Sequence, residues 1–150
     1  SFFWDTRNKN KFPSLYDKAA FIKESIVRLK KWYDISDIYI EQSLHSFRSG
    51  FSSAQTLSTL SRFNGIVSWL CCEVFGTNPV HIPPAKARKL NGIKVSRGQK
   101  AKEVVLNYLL ENEKSFNIEY THKGNPKPTS YDRADSLIIA KAAIKIIGET

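Results

Sequence analysis

The chain has 150 residues, enough for one domain with a real core. Lysine and arginine number 23 against 14 acids, a formal charge of +9, so the expected partner is a polyanion, nucleic acid before a membrane surface. No apolar run approaches the ~20 residues of a spanning helix, and the start lacks a signal peptide's charged-then-apolar order; a soluble, intracellular chain with no membrane partner is expected, in cytoplasm or nucleoid, an organelle or a virus-infected cell.

In chain order, SFFWD at 1–5 is a short aromatic strand candidate, and NKNKFPS is a polar turn ending in Ser14, an N-cap residue type. Ile22, Ile26, Leu29 and Tyr33 recur at helical spacing and predict an amphipathic helix over 15–33. DIYIEQ, 37–42, predicts a buried strand ending on Glu41. Leu57, Leu60, Asn64, Val67, Cys71 and Val74 predict a second helix over 52–75, stopped by Gly76. Val80 to Ile82 forms a short strand closed by Pro83 and Pro84.

The next stretch, AKARKLNGIKVSRGQKAK, is dense in cations and broken by Gly92 and Gly98; its Lys89, Lys94, Arg97, Lys100 and Lys102 are candidate DNA contacts. A helix over 99–112 carries Ala101, Val104, Val105 and Tyr108 on one face. Glu113 to Ser130 is polar, with Gly124, Pro126 and Pro128, and reads as a loop before a last helix over 131–147. Short strands separated by helices predict an α/β fold with parallel pairing through right-handed crossovers, in a single domain over 1–150.

The last helix opens on YDRADSLIIAKA, with Asp132 and Asp135 three residues apart. On a helix both carboxylates point into one small volume and repel. Capping at the positive end of the macrodipole accounts for Asp132. It leaves Asp135, among Ala134, Leu137 and Ile138, at the edge of a buried face, where two converging acids suit a hard divalent cation. Both readings stay open on these residues. Cys71 and Cys72 are adjacent, with no further thiol to form a disulfide framework or zinc ribbon, and read as small core residues.

Glu41 at the end of a strand lies where open α/β sheets bind ligands, and an acid there with a downstream D-x-x-D helix is what two-metal phosphodiester cleavage uses. IYIEQS at 38–43 and YDRADSLIIAKA at 131–142 resemble the glutamate strand and C-terminal aspartate helix of RuvC-type Holliday junction resolvases, within the RNase H-like superfamily. The element order over roughly 1–147 is similar too, including a basic segment with K-x-x-G and G-x-K. The resemblance implies an RNase H-like mixed central sheet flanked by helices. It also implies Glu41, Asp132 and Asp135 as ligands of two Mg²⁺ or Mn²⁺ ions, Lys100 near the scissile phosphate and Lys89 as a second basic residue.

The family's first ligand is an aspartate on a first strand that forms a hairpin with the second. No such segment stands in this chain, so the expectation is that the hairpin is missing and one of four ligands with it. The resemblance further implies that a loop residue after Glu41 can wedge at a junction; Phe47, beside Arg48 in LHSFRSGFSS, is the candidate, and Phe51 reads as packed under the following helix. The expected substrate is a four-way DNA junction. Symmetric cuts require two sites and hence a homodimer, with the Leu57 to Val74 helix a candidate interface or simply core. The alternatives are an RNase H-like nuclease acting on hybrid or flap substrates, and a non-catalytic nucleic-acid-binding module.

Overall fold

A computed structural model of the chain describes residues 4–43 and 54–148. It holds α1 (Leu15–Lys30), β1 (Tyr39–Glu41), α2 (Ala54–Phe75), β2 (Val80–Ile82), α3 (Pro84–Leu90), α4 (Ala101–Asn112) and α5 (Pro128–Gly148). The chain divides into two compact units, Ser1–His81 and Ile82–Thr150.

The expected α/β architecture with an RNase H-like mixed central sheet is overturned. The described residues are mostly helical, with 58% helix and one sheet of two parallel strands, β1 beside β2. The physical reason is strand length: each β-branched or aromatic run contributes only three paired residues, while the other apolar positions recur at helical spacing. At the amino-terminal strand candidate, Trp4 and Asp5 lie in irregular backbone. There the Asp5 carboxylate accepts from the Arg7 N–H at 2.9 Å and its guanidinium at 3.0 and 3.1 Å, a local closure that competes with sheet pairing.

In the first unit α1 begins at a reciprocal capping box. Ser14 Oγ accepts from the Asp17 N–H at 3.2 Å and the Asp17 carboxylate accepts from the Ser14 N–H at 2.9 Å. α1 packs against α2, with Lys23 bridging to Glu73 at 3.1 Å and Lys30 donating to the Val74 carbonyl. Ile26, Leu70, Cys71 and Phe12 are buried, and Phe12 and Phe21 meet at 5.1 Å between ring centroids. The polar member of the predicted α2 stripe has a partner: Asn64 Nδ2 donates to the Glu41 carbonyl at 2.8 Å, fixing the end of β1. Of that stripe Leu60 is exposed and Cys71 buried. Both cysteines are free; burial pushes the Cys71 thiol up, and Cys72 donates to Asn78 Oδ1.

In the second unit α5 packs against both α3 and α4. Its core is Ala134, Ile138, Ile139, Ala142 and Ala143 with Val105, Leu106 and Leu109 of α4 and Ala87 of α3. A helix, α3, lies in the basic stretch after the proline pair, where no element was expected: Pro83 caps and Pro84 opens it, the position where a missing N–H is tolerated. It ends in a Schellman motif, the Gly92 N–H donating to the Lys89 carbonyl at 3.0 Å and the Ile93 N–H to the Arg88 carbonyl at 2.9 Å, with Gly92 at φ +71°. Two side chains then tie α3 to α5. Asn91 Nδ2 donates to the carbonyls of Ala87 at 2.9 Å and Ile138 at 3.1 Å, and Lys145 donates to the Leu90 carbonyl at 2.8 Å. The predicted loop before α5 carries an antiparallel bridge, Tyr120 to Pro126, closed by Lys127 on Glu119 at 2.6 Å.

Candidate nucleic-acid and metal site

The aspartate helix starts earlier than its sequence suggests. α5 opens at Pro128, so Asp132 and Asp135 are its fifth and eighth residues and its first turn holds no acid. Capping therefore explains neither, because the unsatisfied N–H groups belong to the first turn. Pro128 was the available signal, since proline is favoured as the first helical residue.

Asp135 stands three and four residues before Ile138 and Ile139, on the buried face of α5, and is itself half-buried. Burial pushes its carboxyl above the usual range, Lys102 pulls it back, Asp132 raises it again and Arg88 opposes. Asp132 is exposed, and its carbonyl accepts from Ser136 Oγ at 2.9 Å. The structure thus gathers two acids of α5, Arg88 of α3 and Lys102 of α4 within one unit. Nothing in the sequence singles out Arg88 from the other cations of its basic stretch. Once Pro83 and Pro84 are read as a helix start, Arg88 falls beside the buried positions Ala87 and Asn91.

Two carboxylates one turn apart, one of them half-buried and further raised by its neighbour, form a donor set that gains from a hard cation. Among the described residues no group of three or more His, Cys, Asp or Glu side chains stands together, so the pair is the whole protein donor set found there, and one or two carboxylates are what Mg²⁺ usually takes from a protein. Glu41, the third expected ligand, is the exposed last residue of β1 and belongs to the other unit.

The expected DNA contacts fall on the second unit's surface. Lys89, at the end of α3, and Lys94, Arg97, Lys100 and Lys102 are exposed. Lys100 is the N-cap of α4, and its ammonium meets Glu103 at 3.1 Å in a pair exposed at both ends. Such a pair contributes ~0–1 kcal/mol, so a phosphate displaces the carboxylate at little cost. Residues 84–102 hold seven of the chain's 23 lysines and arginines and no acid. Phe47, Arg48 and Phe51 lie outside the described residues. No described helix is long and apolar enough to cross a membrane. Neither a family model, a curated protein nor a solved structure matches the chain.

Proposed function

We propose that the chain acts on nucleic acid as a metal-dependent phosphodiesterase, with branched DNA as its substrate. The carrying observation is the Asp132 and Asp135 pair, set past the cap of α5, with Asp135 half-buried and within electrostatic reach of Arg88 and Lys102. Acids to hold a cation and bases to hold a phosphate are what such hydrolysis needs side by side. A bound Mg²⁺ or Mn²⁺ supplies Lewis-acid polarisation of the phosphoryl oxygen and a water acidic enough to attack. Asp132 and Asp135 hold the cation, Arg88 and Lys102 orient the phosphate, and the exposed cations from Lys89 to Lys100 follow the backbone.

The narrower substrate, a four-way junction, rests on the likeness of IYIEQS and YDRADSLIIAKA to RuvC-type resolvases. Phe47 as a wedge and a homodimer delivering paired cuts enter from the same likeness. An enzyme of this kind works inside the cell, where branched DNA arises.

The test is cleavage and binding of a labelled four-way junction with Mg²⁺ or Mn²⁺. Asp132→Asn and Asp135→Asn should each abolish cleavage and leave binding nearly unchanged, because affinity comes from the cations. Cleavage retained by either variant refutes the site. A second reading, a non-catalytic nucleic-acid-binding module, is favoured by the acid-free basic run over 84–102, which needs no metal to bind phosphates. Tight junction binding by the wild-type chain without Mn²⁺ uptake in calorimetry selects it.

A further inference from the structure

The first unit carries a feature that the acid–base cluster of α3, α4 and α5 does not use. Arg62, Gly65, Ile66 and Trp69 of α2 follow one another at helical spacing and, with Leu15 and Tyr16 at the start of α1, line a groove of about 620 Å³. That size falls within the roughly 300–1,000 Å³ of small-molecule sites. Two of its walls are large aromatics left in solvent, Tyr16 at 83% and Trp69 at 61% exposure. Neither serves the core of the unit, which lies at Ile26, Leu70 and Cys71.

Gly65 is the independent observation. It lies inside α2, where glycine is ~1 kcal/mol worse than alanine. It is not among the glycines of positive φ, and a Cβ built on it meets nothing within 4 Å. Neither backbone conformation nor packing asks for glycine there. Its effect is open space in the groove that Tyr16 and Trp69 also line, the space a flat ring needs for close approach.

We propose that this groove receives an unpaired nucleobase of the nucleic acid, stacked on Trp69 or Tyr16, with Arg62 held for the adjoining phosphate. The proposal rests on the nucleic-acid reading above. Aromatic walls accept any base through its π-face, and an arginine in the same row adds charge and a planar stacking surface. Charge decides the occupant. A chain of net +9 with Arg62 on the groove attracts a polyanion.

Fluorescence anisotropy of the full chain with a short oligothymidylate and with a blunt duplex of equal length tests this. Trp69→Ala and Tyr16→Ala should each weaken oligothymidylate binding roughly 5- to 150-fold, the equivalent of ~1–3 kcal/mol per stacked base, and leave duplex affinity unchanged. Gly65→Leu should do the same by filling that open space; it removes no contact and favours the helix, so loss of fold does not confuse it. Unchanged oligothymidylate affinity in all three variants, with duplex still bound, overturns the groove proposal alone. A wild-type dimer in sedimentation that becomes a monomer in Trp69→Ala also overturns it, giving the groove to a second copy. Binding of neither nucleic acid by the wild type removes the nucleic-acid reading and the groove with it.

Discussion

Alanine at two glycines should shift stability in opposite directions, because the two sites differ in backbone conformation and in nothing else that matters. At Gly92 φ is +71°, and at Gly65 the backbone is that of the α2 interior. A Cβ at either site meets no atom within 4 Å, so steric clash drops out of the comparison. At position 92 the left-handed conformation costs an L-residue ~1–2 kcal/mol. The stiffer unfolded chain returns ~0.4–1 kcal/mol of that, leaving a net loss of about 1 kcal/mol. Gly65→Ala meets no such cost and should gain ~0.5–1 kcal/mol. For a chain of this length 1 kcal/mol corresponds to ~2–4 °C in Tm. Circular dichroism during heating and urea titration reads both, with an unchanged m value required for the comparison. Equal signs at the two positions would refute the Schellman closure of α3 or the helical backbone at Gly65.

Ser14→Ala should cost ~1 kcal/mol at neutral pH through loss of the N-cap. The Ser14 hydroxyl and N–H hold the Asp17 carboxyl below the usual aspartate range, so the hydroxyl's bond to that carboxylate is fully present above the unfolded value and is lost as pH falls through the lower folded one. Urea melts between neutral and acid pH should therefore show a shallower acid decline in Ser14→Ala, and parallel curves would count against the capping box. For the basic surface, neutralising about six phosphates gives a slope of log K on log salt of roughly −5 in anisotropy titrations with duplex DNA, and a slope near zero would exclude it.

Where a single local rule governs an element, the sequence reveals it. Val80–Ile82 emerges with the bounds its residues suggest, and the α1, α2 and α4 periodicities reappear, α1 ending three residues earlier and α4 starting two residues later. The α/β architecture fails for a different reason. Three-residue apolar runs are compatible with sheet or with irregular chain, and only long-range pairing decides, which local pattern does not carry. Pro83 and Pro84 carry two meanings at once, because proline both ends strands and opens helices, and here they end β2 and start α3. At the site, the one-turn spacing of Asp132 and Asp135 follows from the helix alone. The charges that act on Asp135 do not, since Arg88 and Lys102 stand 47 and 33 residues away along the chain.

Asn91 and Gly92 also set a chemical lifetime. An asparagine followed by glycine is the pairing most open to attack of the next backbone nitrogen on the side-chain amide, which expels ammonia and leaves an aspartate or its isomer. In this fold that nitrogen is held by the Lys89 carbonyl and the amide by Ala87 and Ile138, in a side chain only 5% exposed. Ageing at this position is therefore governed by how often the α3 end opens, not by the intrinsic rate of the dipeptide. Each conversion replaces two donated hydrogen bonds with a carboxylate facing the Ala87 and Ile138 carbonyls, which loosens the same closure and exposes the damaged chain to further opening.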